Sequence, residues 1–150
     1  MYAVVSKPRP PSSAPSCEAE CMAVPGETDL AAMLATLGVQ RRPGVFTYIA
    51  VEVPTAGLIA AAHAVVKEGR LTTIVLPIDA AERAGQLATV ELAWLTVTVQ
   101  SSLEAVGLTA AISARLTALD IPCNVLAGYH HDHLLVPVDR VDDAVDALTA

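Results

Sequence analysis

The chain has 150 residues and a net charge of -7 at pH 7, and 53% of its residues are hydrophobic but only 3% aromatic. A chain of this length buries about 70% of its unfolded surface when folded, so it has room for one ordinary domain or two very small ones. The acidic charge and the shortage of aromatic rings exclude nucleic acid as the expected partner, because phosphate binding requires clustered Lys and Arg.

The first 26 residues form a tail rich in proline and serine, which we expect to be disordered. Half of the chain's ten prolines lie here. Such a composition buries too little apolar surface to offset the entropy that is lost on ordering. Met22 lies just before the first segment with a structural pattern and is an alternative translational start.

Targeting and membrane segments are not evident in the sequence. The apolar run at the start is too short for a secretory signal, and the run at residues 57–66 is about half the length needed to span a bilayer. Cys17, Cys21 and Cys123 are odd in number and widely separated, which argues against a disulfide framework. We therefore expect a protein of the reducing cytoplasm with no membrane partner.

The first half of the chain predicts helices and strands in alternation. Apolar residues recur at helical spacing between a capping Thr28 and a closing Gly38. Residues 57–67 are ambiguous, because alanine favours a helix whereas the strand that follows suggests a hairpin. The expected elements are a helix over residues 28–38, a turn at 41–44, a strand over 45–53, extended structure at 62–66, a strand over 71–76, and a short helix from Asp79, with a capping-box spacing to Glu82, that closes near Gly85.

The second half has a clearer pattern. Residues 91–99 alternate between two largely apolar faces, which is typical of a central strand covered on both sides. Leu108, Ile112 and Leu116 belong to an apolar helical stripe that ends at residues 120–122. Strands over 123–127 and 133–137, a turn at 128–132 and a last helix from residue 139 complete a βαββα order. This order lacks the fourth strand of a ferredoxin-like unit.

A degenerate internal repeat links the two halves. The segment at residues 76–82, which begins Leu-Pro-Ile-Asp, reappears in loosened form at residues 136–142 as Val-Pro-Val-Asp. We therefore expect an α+β fold of two units, residues 27–89 and 90–150, after the tail of residues 1–26. Because the second unit leaves a sheet edge open, the first unit or another copy of the chain should supply the absent strand, and we expect a homodimer.

The second half resembles the ACT domain, the small ligand-sensing module of amino-acid metabolism. The resemblance rests on Val106-Gly107-Leu108, which is similar to the family's Pro-Gly-Leu with valine in place of proline, and on residues 121–137. Trp94-Leu95, together with the Arg-Pro-Gly turn at residues 42–44, is similar to the paired-ACT arrangement of small bacterial proteins and of CASTOR-type arginine sensors. The resemblance covers residues 28–150. It implies tandem ferredoxin-like βαββαβ units that are incomplete and share strands, with antiparallel sheets and helices on one face.

The resemblance also implies a noncatalytic module that binds an amino acid or similar effector, near the loop that joins the first strand to the first helix. Amides at a helix opening, with the positive end of the helix dipole, suit a carboxylate. The candidate ligand residues are Ser101 and Ser102 for hydroxyls, Gly107 for close approach, Val106 and Leu108 for aliphatic contact, Ala127, Gly128, Glu104 and Asp132 as acceptors, and Tyr129 and His130 from the adjacent turn. Ser101 or Ser102 could instead only cap a helix, and Gly107 could only make a turn.

Residues 130–133 bring three histidines and an aspartate together. On an extended strand His131 and His133 would share a face, which could present two imidazoles to zinc with Asp132 or Cys123 as further ligands. A structural turn and direct contact with an effector are the alternatives, and we assign no metal. Asp139, Asp142, Asp143 and Asp146 fit a helix start and a solvated face.

The sequence shows no arrangement typical of an enzyme. It contains no nucleophile elbow and no phosphate-binding glycine loop, and Glu52, Glu91 and Glu104 have no evident partner. We therefore expect neither catalysis nor a cofactor. Two hypotheses remain: an amino-acid sensor, which could act on a regulated protein partner, and a structural or interaction module without a ligand.

Overall fold

The structure is a computed structural model that describes residues 28–99 and 106–150. The predicted disordered tail lies outside the described residues. The elements follow one another in the order α1 (Leu30–Ala35), β1 (Val39–Val51), α2 (Ala56–Ala61), β2 (Ala64–Glu68), β3 (Leu71–Pro77), α3 (Ile78–Arg83), β4 (Leu92–Val97), α4 (Leu108–Thr117), β5 (Asn124–Ala127), β6 (Asp132–Pro137) and α5 (Val141–Thr149), with a 3-10 turn at Val138–Arg140 before α5.

All six strands form one antiparallel sheet in the order β2-β3-β1-β4-β6-β5. The two halves repeat the same βαββα order, and their first strands, β1 and β4, pair in the centre of the sheet. Leu92 of β4 pairs with Pro137 of β6 as Phe46 of β1 pairs with Pro77 of β3. Each half therefore receives as its fourth strand the first strand of the other half, which confirms the predicted sharing of strands.

Strand β1 is longer than predicted because a bulge replaces the turn that we expected at residues 41–44. Arg42 pairs with Trp94 on β4, and the register shifts before Phe46 pairs with Leu92. Gly44 has a φ of 103°, a left-handed conformation that glycine adopts without steric penalty. A glycine bulge bends a strand without ending it, so the predicted turn is wrong.

The helices lie on one face of the sheet, as predicted. Helices α1, α4 and α5 cover β4 and β6, and their shared core includes Met33, Leu95, Ile112 and Leu148. Helices α2 and α3 cover β1 and β3 around a smaller core. Each fully buried aliphatic side chain contributes about 1.5–3 kcal/mol, so this face supplies most of the hydrophobic stabilisation. In the described part of the chain no helix is long and apolar enough to cross a membrane.

Several predicted helix ends are wrong in detail. Asp29, not Thr28, caps α1 through a hydrogen bond from the Ala32 amide. Gly38 does not close that helix. Its carbonyl instead accepts from the Thr98 amide at 2.9 Å, and a Cβ at Gly38 would lie 2.5 Å from Thr98 Oγ1, so this glycine permits a close approach of two chain segments.

The segments around α2 and α3 also differ from the prediction. Residues 56–61 are helical because Thr55 accepts from the Leu58 amide, whereas Ala62 has an extended backbone and the strand covers residues 64–68, so extended structure is confirmed over most of residues 62–66. At α3 the predicted capping box is absent, since the capping position is Pro77 and Asp79 lies inside the first turn, where it pairs with Arg83. The alanine residues in this segment favour a helix, and the Thr55 cap stabilises its first turn.

Candidate functional site

The predicted ligand residues divide between the loop before α4 and the hairpin that joins β5 to β6. Ser101, Ser102 and Glu104 lie outside the described residues. Val106 is exposed, Gly107 occupies the N-cap position of α4 with a φ of 100°, and Leu108 is buried in the core. Leu108 therefore anchors the helix opening in the core, and its aliphatic contact with a ligand stays a prediction.

The opening of α4 lacks a capping side chain of its own, because its N-cap residue is a glycine. The Gly107 carbonyl accepts from the Ala111 amide at 2.9 Å, which starts the helical ladder. A Cβ at Gly107 would lie 2.9 Å from Cδ2 of Leu30, so the first residue of α1 packs closely against Gly107. The first-turn amides and the positive end of the helix dipole thus lie at a seam between the two halves.

The β5–β6 hairpin carries the other predicted residues. Ala127 pairs with Asp132, and the Gly128 amide donates to the His131 carbonyl at 3.0 Å. Tyr129 is 66% exposed, and its ring meets the His130 ring edge-on with centroids 4.8 Å apart. The hairpin tip is therefore a solvent-facing turn with two rings at its surface.

The sheet register places the hairpin and the loop before α4 at the same end of the sheet. Thr96, near the end of β4, pairs with His133, near the start of β6. The chain leaves β4 towards α4 at the end where β5 turns into β6. Val106–Leu108 and the β5–β6 hairpin therefore lie at the same end of the strands. Residues 100–105 are outside the described part of the chain.

A second group of polar and aromatic side chains lies on the sheet face opposite the helices. We call Arg42, Phe46, His63, Trp94 and His133 the Trp94 cluster. Trp94 is only 2% exposed, with the Phe46, His63 and His133 ring centroids within 5.3, 5.8 and 5.2 Å of its own. The Arg42 guanidinium carbon lies 4.7 Å from the same ring, in cation–π geometry.

The pKa values of both imidazoles in the Trp94 cluster are lowered from the ordinary value of 6.5. Burial lowers the pKa of His63 and of His133, and the nearby charge of Arg42 lowers both pKa values further. Arg42 Nη1 lies 2.6 Å from His63 Nδ1, so the guanidinium donates to a neutral ring, and His133 Nδ1 lies 3.1 Å from Thr96 Oγ1. Sequence reasoning missed this cluster, because its members come from four separate strands and loops and no spacing links them.

The metal alternative lacks the geometry on which it was based. His131 lies one residue before β6, which begins at Asp132, and His133 lies inside that strand. Among residues 28–99 and 106–150 no group of three His, Cys, Asp or Glu side chains is placed to hold a metal ion. Burial also raises the pKa of the Cys123 thiol to about 11, which disfavours the thiolate form that binds metals.

Comparison with known proteins gives the family. Residues 89–150 match the family model of the ACT domain. A solved structure from Vibrio cholerae, a protein of unknown function described as a possible transport protein, is 32% identical and covers 79% of this chain and 92% of its own, with a TM-score of 0.72. A search among curated proteins found no match.

Two further solved structures share the fold at low identity. A protein from Agrobacterium tumefaciens is 16% identical over 75% of this chain and 86% of its own, with a TM-score of 0.56. The ligand-free regulatory subunit of aspartate kinase from Thermus thermophilus is 11% identical over 74% of this chain and 93% of its own, with a TM-score of 0.53. With the matched ACT segment and the relative that spans most of the chain, these comparisons show that the chain belongs to the ACT domain family.

Proposed function

We propose that this chain is a noncatalytic regulatory protein that binds an amino acid or a similar small effector, with ACT units at residues 27–89 and 90–150. The observation that carries the proposal is the opening of α4 at Gly107, where the N-cap residue provides no capping side chain and a Cβ would lie 2.9 Å from Leu30 of the first half. Membership of the ACT family supports the role, as does the likeness of the fold to a regulatory subunit.

The chemistry of a free amino acid fits the two segments at this end of the sheet. Its carboxylate would accept hydrogen bonds from the amides that open α4, aided by Ser101 or Ser102, because helix N-termini favour anions. Its ammonium group would donate to the carbonyls of Ala127 and Gly128, or to the carboxylates of Asp132 or Glu104. Tyr129 and His130 would cover the ligand from the exposed hairpin, beside Val106.

The seam between the halves offers a route by which occupancy reaches the rest of the protein. A ligand bound at the opening of α4 would also act on Leu30, whose Cδ2 lies 2.9 Å from the position of a Cβ at Gly107, and hence on α1 of the first unit. The proposal includes a cytoplasmic homodimer that passes this change to a regulated protein. Among the described residues no further strand pairs with the outer edges of β2 and β5, and this supports self-association, since such edges readily pair with another chain.

A panel of amino acids at millimolar concentration tests the proposal by thermal shift and calorimetry. One or a few amino acids should raise the melting temperature, because a ligand at one hundred times its Kd stabilises the folded state by about 2.7 kcal/mol. The proposal fails if no amino acid in the panel changes the melting temperature.

The variant Gly107→Ala, with Gly44→Ala as its control, locates the ligand. Both glycines have φ near 100°, so alanine introduces similar backbone strain at each position. At Gly107 the new methyl group would lie 2.9 Å from Leu30 Cδ2 beside the proposed site, whereas at Gly44 it would lie 3.8 Å from the Phe46 ring, in ordinary contact. We expect Gly107→Ala to lose about tenfold or more in ligand affinity, whereas Gly44→Ala should bind normally. Equal affinities in both variants would place the ligand elsewhere.

A ligand-independent interaction module is the second candidate function. Val65 and Val66 on the edge strand β2, with Leu71 at the start of β3, are each more than 40% exposed. An apolar edge strand is suited to strand pairing with a partner. If Val65→Lys abolishes self-association measured by light scattering while the amino-acid panel has no effect, this candidate is preferred.

A further inference from the structure

An open cavity of about 600 Å³ lies beside the second half of β1, far from the loop that opens α4. Its walls come from β1, from the β2–β3 hairpin and from the segment between α3 and β4. The lining includes the side chains of Tyr48, Glu68, Thr73, Gln86, Leu87 and Thr89. Binding pockets for small molecules usually measure about 300–1,000 Å³, so this volume suits a small organic ligand.

The internal repeat explains why the cavity is in the first half. Tyr48 pairs with Val75 as Trp94 pairs with Leu135, and Ala50 pairs with Thr73 as Thr96 pairs with His133. Tyr48 and Thr73 therefore occupy the positions that Trp94 and His133 occupy in the second half. There, Arg42 and the indole fill the space, whereas the segment before β4 runs beside Tyr48 without forming a strand and leaves the space open.

One charge dominates the lining of the cavity. Glu68 is the single charged residue among the side chains that form its walls, and Thr73 donates a hydrogen bond to its carboxylate. The two nearby cations are engaged elsewhere, since Lys67 donates to Thr72 at 2.9 Å and Arg70 pairs with Glu52 at 3.3 Å. None of the ion pairs among the described residues includes Glu68.

The remaining walls combine hydrogen-bonding groups with an apolar surface. Burial raises the pKa of the Tyr48 phenol, so its hydroxyl remains protonated at neutral pH. The side chains of Gln86 and Thr89 add further polar groups. Leu87 is 81% exposed at the rim, where an aliphatic chain could cover it. The arrangement offers one anionic end and one apolar flank.

We propose that this cavity binds a small organic cation with a primary ammonium group on an aliphatic stem, the ammonium pairing with Glu68 and the stem lying against Leu87. The oxygens of the Tyr48 hydroxyl, Gln86 and Thr89 accept hydrogen bonds from the remaining ammonium N–H groups, or bond to a second polar group of the ligand. Thr73 holds the Glu68 carboxylate in place. This site is separate from the amino-acid site proposed at α4, and neither depends on the other.

Titration of the full chain with 1,5-diaminopentane, followed by calorimetry and by the amide resonances of β1 and β2, tests the proposal. We expect saturable binding that weakens about tenfold in Glu68→Gln, because a hydrogen bond to a charged partner is lost. Glu82→Gln is the matched control, since this exposed carboxylate lies on α3 outside the cavity lining and belongs to none of the ion pairs among the described residues, and it should bind normally. Pentan-1-ol, which has the stem without the charge, should not bind at the same concentration.

Three further outcomes decide the result. Thr73→Val should weaken binding by a smaller factor than Glu68→Gln, since it frees the carboxylate without removing it. Gly107→Ala should bind the diamine as the unsubstituted chain does, which separates this site from the one proposed at α4. Absence of saturable binding, or a Glu68→Gln affinity within about twofold of the unsubstituted chain, overturns the proposal.

Discussion

The two halves of the sheet share a backbone plan but use the same position in different ways. In the second half that position is filled by Trp94, which Arg42, Phe46, His63 and His133 surround. In the first half it holds Tyr48 beside an open cavity. The duplicated backbone thus keeps the same strand register in both copies. The side chains differ, so that one copy has a packed cluster at this position and the other has a cavity that could accept a ligand.

The helices that follow the first long strand of each half, α2 after β1 and α4 after β4, show a similar divergence. Thr55 caps α2 with its own hydroxyl, 3.2 Å from the Leu58 amide, whereas α4 starts at a glycine that has no side chain to offer. A capped helix opening is stable without a ligand, and an uncapped one leaves donors for another group. The first opening therefore has its own capping acceptor, while the binding role proposed for the second stays a prediction.

Removing the indole should produce the largest effect. Trp94→Ala should lower the free energy of unfolding by about 3–5 kcal/mol, because it leaves a large cavity in a packed cluster. Tyr48→Ala, at the equivalent position, should cost clearly less, since that side chain is only partly buried and already borders a cavity. Urea unfolding measures both values, and equal losses would show that the two positions are packed alike.

Removing the α2 cap should produce an intermediate effect. Thr55→Ala should lower the free energy of unfolding by about 1 kcal/mol, because the Leu58 amide loses its acceptor. Thr109→Ala, at an exposed position in the first turn of α4, should change stability by less than about 0.5 kcal/mol. A similar loss at Thr109 would indicate that its hydroxyl also caps a helix opening.

The smallest effect on stability should come from protonation of the His63 and His133 imidazoles as the pH is lowered. The pKa values of His63 and His133 are lowered in the folded state from the ordinary value of 6.5, so the unfolded chain binds protons first as the pH falls. Their contribution to stability is present in full above pH 6.5 and is lost as the pH drops through that value towards the folded-state pKa values.

Thermal unfolding at pH 7 and at pH 5 measures this contribution. The melting temperature should fall by a small amount at the lower pH, and the fall should shrink in a variant that combines His63→Asn with His133→Asn. The carboxylates of the chain contribute an acid dependence that both proteins share, so the difference between them isolates the imidazoles. An identical pH dependence in the variant would mean that protonation of the two rings makes no contribution to the change in stability.

Much of the fold could be predicted because local patterns agree with it. The strand-to-helix junctions at Pro77 and Pro137 revealed the repeat, since proline and the acidic residue that follows suit the start of a helix in both copies. The alternation at β4 predicted a central strand with two largely apolar faces, and the stripe on α4 predicted the buried side of that helix. The bulge at Gly44 and the helix α2 escaped prediction, because a turn and a glycine bulge have the same composition and because alanine runs are ambiguous.

The candidate sites were less predictable. The loop that opens α4 and the β5–β6 hairpin were found from residues 106–108 and 127–132, and the register places them at one end of the sheet. Which of these residues contact a ligand stays a prediction, as does the narrower similarity to CASTOR-type sensors. The Trp94 cluster and the Glu68 cavity gave no sequence signal, because each joins residues from segments that are far apart in the chain.

The amino-acid sequence by itself determined most of the order of the elements, the repeated segment and the apolar stripe of α4, because these depend on spacing within a few residues. The tertiary structure alone decided that β1 and β4 pair, that α2 is helical, and that Arg42 and His63 reach Trp94. Those contacts arise when distant segments meet to bury apolar surface, and short-range patterns do not specify which segments will meet.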